Sequence, residues 1–495
     1  MSECCSTSND VQKHLTESEK PPAREAAKAG KHFVIIGGGS AAFSAALKAA
    51  ELGAHATIIN DGLPMGGTCV NVGCVPSKTL IRAAEVLHRA QRPPPFAGIA
   101  ISGRLLDFKA VIEQKRALVR ELRQAKYADV IGDNPNITFI KGRGLLVDAR
   151  TVDVDGMKIR SDAMLIATGA RPSVPPIAGL DKVNYLTNET AFELDSLPES
   201  LLVIGGRYIA LECAQMFARM GSKVTVLRRS ERILPDETPD LTDALTGYLR
   251  EEGLEIVSGV TLLSVTQDAE QVVVETRVCG EPQTFRAQQI LVATGRSYNT
   301  ENLGLENAGV QTNPDGSVKV SDTLETSTAG IYAAGDVLSE NMFVYTAAYE
   351  GALAVENAFN GAKRKRDYTA LPWVIFTDPQ VAGVGLDEKQ AATQGIETDV
   401  AMLPLSHVPR SLAARDTRGF VKLIRNRATD QLVGARILAA EGSELLMEVS
   451  LAIKFGITVR ELAGCFHPYL TLSEGVKLAA LVFSKDTGKL SCCAS

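Results

Sequence analysis

Two strand–turn–helix–strand units constrain this 495-residue chain more than any other feature. In the first, the apolar run His32–Ile36 leads into a glycine turn at Gly37, Gly38 and Gly39. An alanine-rich helical stretch to Leu52 follows, Gly53 ends it, and Ala56–Ile59 reads as the next strand. The second unit runs from Leu201–Ile204 through the turn Gly205–Tyr208 and a helix to Met220, then the strand Lys223–Leu227. Such units build parallel sheets, and the helix N-terminus of each faces a phosphate. Two of them imply two dinucleotides.

The first turn carries G-x-G-x-x-A at Gly37, Gly39 and Ala42. Gly37 permits the tight turn, Gly39 lets backbone approach a pyrophosphate, and Ala42 allows close helix packing. The acidic residue that usually closes the second strand is missing, and the chain reads Asn60-Asp61. Either side chain suits a ribose hydroxyl, so that contact stays unassigned. In the second turn Gly205 and Ala210 fit, but Arg207 replaces the middle glycine. Its Cβ is expected to crowd a pyrophosphate unless the loop shifts or the guanidinium pairs with phosphate. After Leu227 comes the basic run Arg228-Arg229-Ser230-Glu231-Arg232. Basic residues here suit a 2′-phosphate, with Arg229 the assigned contact, and favour NADPH over NADH. The segment Thr326–Asp336 reads as a strand ending in Gly-Asp, which places Asp336 to accept a ribityl hydroxyl. Ala167–Ala170 and Ala293–Arg296 read as strand-end turns between domains.

Hydrophobic content of 45%, charged content of 22% and a net charge of −6 describe an ordinary acidic globular chain. The charge argues against nucleic-acid binding. No apolar run reaches membrane-helix length, and the polar N-terminus lacks a signal-peptide core, so no membrane association and a cytoplasmic location are expected. The expected class is α/β. Residues 1–30 form a disordered tail and 31–185 the first part of an FAD-binding domain. Residues 186–300 form an NADPH-binding domain and 301–370 return to the FAD domain. Residues 371–488 read as a separate α+β domain, expected to serve in dimerisation on the resemblance given below, and 489–495 are expected to form a mobile dithiol tail.

Nine cysteines in such a chain suit redox or metal chemistry better than a structural disulfide framework. Cys213, Cys279 and Cys465 read as small buried hydrophobes. Cys4-Cys5 and Cys492-Cys493 are adjacent pairs near the two chain ends, and Cys69 and Cys74 form C-x-x-x-x-C within Gly66–Lys78. A terminal dithiol and an internal one suggest that electrons or a soft metal ion pass between them. Cys4-Cys5 read either as a minimal metal-capturing arm or as incidental.

With GGTCVNVGCVPSK at Gly66–Lys78 and the four dinucleotide segments in this order, the chain resembles the flavin-dependent pyridine nucleotide–disulfide oxidoreductases over about residues 31–490. The resemblance implies a homodimer with FAD and NADPH. It makes Cys69 and Cys74 the redox dithiol, with Cys74 beside the flavin and Cys69 more exposed. Lys78 and Glu212 match a buried charged pair near the flavin ring. Ala42, Gly62, Thr68, Ala170 and the backbone around Val344 match flavin contacts. A helix beginning near Pro76-Ser77-Lys78 is expected to favour the thiolate.

Disulfide-reducing relatives use a histidine acid from the partner subunit in H-P-T-x-x-E. Here Tyr469 falls at that position relative to Glu474, and His467 falls two residues early. Losing the acid suits a substrate that releases no thiol to be protonated in place. Hg(II) is such a substrate, because thiolates select soft ions. In this respect the chain resembles the mercuric reductases of that family. The resemblance implies two tyrosines at the metal site, carried here onto Tyr185 and Tyr469. It also implies that Cys492 and Cys493 hand Hg(II) thiolate complexes to the partner's Cys69 and Cys74. A thioredoxin-reductase-like enzyme predicts histidine at Tyr469. A non-catalytic metal-sequestering protein predicts a blocked second dinucleotide loop, which only Arg207 favours.

Overall fold

Four largely apolar strands build most of the first sheet, where burial on both faces explains the pattern, and the more exposed Ile137–Lys141 forms one edge. The computed structural model describes residues 30–361 and 363–486. Ile331–Ala333, Ala163–Ile166, His32–Ile36, His55–Asn60 and Ile137–Lys141 lie side by side in that order, all parallel. The helices Ser40–Glu51 and Val344–Phe359 pack together against this sheet. Their backbones approach so closely that a Cβ on Gly351 would lie 2.1 Å from the Ala41 carbonyl oxygen. The 300-residue gap in sequence between these two helices is bridged because the chain leaves this domain and returns to it.

The excursion holds a second parallel sheet, ordered Glu255–Val257, Lys223–Leu227, Ser200–Ile204 and Gln289–Val292. An antiparallel meander, Val260–Asp268, Gln271–Val278 and Glu281–Ala287, is inserted before its last strand. The third domain is a five-stranded antiparallel sheet ordered Pro372–Ile375, Gln380–Gly385, Leu432–Ala439, Phe420–Asn426 and Thr398–Pro404. The helices Leu446–Lys454, Val459–Gly464 and Glu474–Val482 cover it. Met447, Leu451, Phe455, Phe466 and Leu470 of this domain are exposed, Phe455 to 74%. Apolar exposure on this scale marks a face meant for association.

A buried ionic knot ties the three regions together. Arg219 bridges Glu252, at 2.6 Å, and Asp378, at 2.9 Å, and Arg418 reaches Asp378 at 2.8 Å. Glu252 also lies 3.6 Å from His88 at the end of the helix Cys74–Gln91. Burial and the neighbouring Arg219 charge hold His88 down to about 4, so it sits there neutral. Among the described residues no helix is long and apolar enough to cross a membrane.

Candidate active site

The dithiol sits on a short helix and the start of a long one. Gly66 and Gly67 adopt φ of 91° and 60°, and a Cβ on Gly67 would lie 2.7 Å from Gly39 Cα. Glycine is required there, and the close approach seats the helix Gly67–Asn71, with Cys69, against the first dinucleotide turn. The Asn71 side chain donates to the carbonyls of Pro64, Met65 and Gly67, the last at 2.8 Å, and closes the loop. The next helix spans Cys74–Gln91 with Gly73 as N-cap. The expected start near Pro76 is therefore two residues late. Pro76 is tolerated in the first turn, where a missing N–H has no helical partner to lose.

Cys74 thus stands at a helix N-terminus. The hydrogen bond from Cys69, then the Lys78 charge, pull its thiol down to about 7 against the opposing effect of burial. Cys69, as donor of that bond, is pushed up. Within the pair the proton is favoured on Cys69 and the negative charge on Cys74. Cys74 faces open space at the start of the long helix, and Cys69 is half-buried. Cys69 lies within the short helix beside buried Val70 and Asn71, whereas Cys74 opens the long helix.

Lys78 Nζ lies 2.7 Å from Glu212 Oε2 and 4.5 Å from the centre of the Phe376 ring. The other Glu212 oxygen accepts the Phe376 N–H at 2.9 Å. Glu212 is buried, so this pair is the expected charged element beneath the dithiol helix.

Tyr127, which sequence reasoning missed, lies within electrostatic reach of both cysteines, and Tyr345 within reach of Cys74. Tyr127 lies in a π-helical turn, Gln124–Ala128, that follows the helix Phe108–Arg123. Such turns add one residue and re-aim a side chain. Tyr127 packs edge-on against Phe43, ring centres 4.9 Å apart, and hydrogen-bonds Ser40. Burial first, and then the charges of Cys69 and Cys74, push its phenol up, so it stays a neutral donor. Tyr185, expected at this site, instead packs into the apolar cluster of Leu180, Val183 and Val260. Replacing Tyr127 by phenylalanine is expected to lower turnover about tenfold with little change in nucleotide binding, the scale of one charge-assisted hydrogen bond. Steady-state kinetics with separate kcat and KM checks this, and an unchanged kcat would remove Tyr127 from the site.

Tyr469 lies 49% exposed on the third domain. His467 is held: its Nε2 lies 2.5 Å from Glu448 Oε1 and its Nδ1 3.2 Å from the Cys465 carbonyl. Cys4, Cys5, Cys492 and Cys493, with the proposed tails, lie outside the described residues.

The first dinucleotide groove fits a flavin. Gly37, at φ 122°, would place a Cβ 2.1 Å from the Ala167 carbonyl oxygen, so only glycine serves there. Gly62, at φ 88°, has open space beside it, and Ala42 is fully buried under the turn. Burial pushes the Asp336 carboxyl up, with Arg296 3.7 Å away opposing. The buried Thr346 hydroxyl, in the first turn after Val344, has no hydrogen-bond partner among the described residues. Buried polar groups left short of partners suit the hydroxyls of a ribityl chain. Thr68 and Ala170 lie in the helix Gly67–Asn71 and at the start of the strand Ala170–Pro172.

In the second unit Gly205, at φ 138°, would place a Cβ 2.3 Å from the Ala293 carbonyl oxygen. Arg207 caps the helix Tyr208–Met220 with extended backbone, φ −109°, so an L-residue sits there without strain. The basic run divides. Arg228 turns inward and donates to the Ser230 and Glu231 carbonyls, and Arg229 is exposed.

Two dinucleotide folds around a dithiol, with a separate apolar association domain, define a nucleotide-dependent dithiol oxidoreductase. Residues 31–351 match the family described as pyridine nucleotide-disulphide oxidoreductase, and residues 371–480 match its dimerisation domain. The chain belongs to the pyridine nucleotide-disulphide oxidoreductases. It is 46% identical over 462 residues to a mercuric reductase of Staphylococcus aureus, covering 93% of this chain and 84% of that one. It is 44% identical over 473 residues to a mercuric reductase of Streptomyces lividans, covering 94% and 99%. Among solved structures it resembles the Cu(II) complex of the HOCl-induced flavoprotein disulfide reductase RclA from Escherichia coli. That match has a TM-score of 0.83 and 29% identity, over 92% of this chain and 100% of that one. LpdA from Mycobacterium tuberculosis matches with a TM-score of 0.82 at 29% identity, over the same shares.

Proposed function

We propose that this chain is an NADPH-dependent mercury(II) reductase that converts thiolate-bound Hg(II) to Hg(0). The observation that carries the reading is the Cys69–Cys74 pair, with the Cys74 thiol lowered to about 7, Tyr127 within electrostatic reach, and His467 bound to Glu448. Two electrons leave NADPH as hydride, and two reach Hg(II). FAD bound in the first groove supplies the relay between nicotinamide and dithiol. Gly37, Gly39, Ala42, Gly62, Thr68, Ala170, Asp336 and the backbone at Val344 would hold it. Gly205 and Arg229 would hold NADPH, and Lys78 with Glu212 sets the charge beneath the reacting side. Cys74 attacks the metal as thiolate, and Cys69 becomes the second sulfur ligand.

The chain works as a homodimer, with the exposed apolar face of the third domain buried between copies. That association brings Tyr469 to the partner's dithiol. Cys492 and Cys493 deliver the metal to the partner's Cys69 and Cys74. Five unbridged cysteines among the described residues suit a reducing, cytoplasmic setting.

The test is NADPH oxidation by the FAD-loaded protein with excess small thiol, with and without Hg(II). Oxidation that requires Hg(II), and that falls several-fold when Cys492 and Cys493 are both alanine, is the expected result. Turnover of a disulfide with none of Hg(II) would assign the dithiol to disulfide reduction instead.

A further inference from the structure

Arg207 stands where the dinucleotide turn ordinarily has its second glycine, and its side chain is placed for use. The guanidinium pairs with Asp236, and both groups are more than half exposed, at 59% and 68%. Asp236 itself is on a fixed support. The neighbouring Leu234 N–H donates to the Gly206 carbonyl at 2.9 Å, and Glu237 is held by Arg436 at 2.7 Å. The ion pair therefore ties the dinucleotide turn to the loop that also carries Arg229. Its carboxylate end is anchored, and its long guanidinium arm is free to turn. An exposed ion pair costs little to open. A phosphate diester offers the same fork geometry as a carboxylate, and a helix N-terminus behind it adds to the attraction.

We propose that Arg207 is a phosphate-binding residue of the second dinucleotide site, resting on Asp236 and exchanging that carboxylate for the pyrophosphate of the incoming nucleotide. The inference rests on the reading that this unit takes NADPH. The extended backbone at Arg207 removes the strain that would otherwise argue for glycine. The role differs from that of Arg229, whose position after Leu227 addresses the 2′-phosphate. Arg207 addresses the bridge that NADPH and NADH share, so it adds affinity without selecting between them.

Two probes separate these roles in the FAD-loaded dimer: NADP⁺, which has the pyrophosphate, and 2′-AMP, which lacks it. Calorimetric titration of Arg207→Gly is expected to show NADP⁺ binding weakened about tenfold, with 2′-AMP unchanged. Arg207→Lys should recover part of the loss, since lysine keeps the charge but not the fork. Asp236→Asn should tighten NADP⁺ by a few-fold, because the guanidinium no longer has a competing carboxylate. Equal or tighter NADP⁺ binding by Arg207→Gly overturns the inference, as does equal weakening of 2′-AMP. A wild-type protein that binds 2′-AMP and NADP⁺ not at all overturns the NADPH reading itself, and this inference with it.

Discussion

Cys74→Ser is expected to lower Hg(II)-dependent NADPH oxidation by roughly 10⁴-fold, the scale seen when a group through which a reaction runs is removed. Cys74 is the member of the pair whose thiol is lowered to about 7, and a serine hydroxyl at the same place stays protonated and is a poor ligand for a soft ion. Nucleotide affinity should not change, because the second dinucleotide turn is built by other residues. Cys69→Ala separates the two sulfurs. It deletes the hydrogen bond that contributes most to lowering the Cys74 thiol, so the midpoint for alkylation of Cys74 should rise from about 7 toward that of an ordinary thiol. The sign is fixed by the acid's charge: a lowered thiol is reactive above its midpoint and loses reactivity as pH falls through it. A Cys74→Ser enzyme that keeps a tenth of wild-type turnover would sink the assignment.

Lys78→Met should cost about 3 kcal/mol of stability and raise the Cys74 midpoint at the same time. The change leaves Glu212 buried with only the Phe376 N–H, at 2.9 Å, to offset its charge. The figure sits at the low end for a broken buried pair because the Lys78 side chain is one-third exposed. Denaturant unfolding of the loaded protein reads the first effect, and the pH dependence of alkylation reads the second. The double change Lys78→Met with Glu212→Leu should restore most of the stability but not the lowered thiol, since the pairing cost disappears while the cation stays absent. A single variant with wild-type stability and midpoint would show that the pair acts on neither.

Much of this was legible in the sequence, for reasons of periodicity and turn chemistry. The strands His32–Ile36 and Lys223–Leu227 and the helix Tyr208–Met220 fall where the apolar runs and glycines place them. The pairing of Lys78 with Glu212 came from resemblance, and nothing in the residues between them announces it. Tyr127 was invisible for a physical reason. A π-turn shifts the helical face by one residue, so a side chain that helical spacing would place elsewhere turns toward the cysteines. Tyr185 misled because a loop tyrosine reads the same in sequence whether it faces a site or an apolar cluster. The crowding expected at Arg207 concerned its Cβ beside a pyrophosphate, and the extended cap shows that the backbone there carries no strain of its own.

The location of a single proton in the dithiol has a consequence for how metal is taken up. Hg(II) arrives already bound to sulfur, so the first ligand exchange frees one thiolate. That thiolate leaves without an acid beside it, and the proton of the pair is favoured on Cys69. Giving it up turns Cys69 into the second nucleophile at the moment the metal is in reach. The expected order of attack is Cys74 and then Cys69. Such a site has no use for an imidazole, and the one histidine that could have served, His467, is left to a structural bond with Glu448.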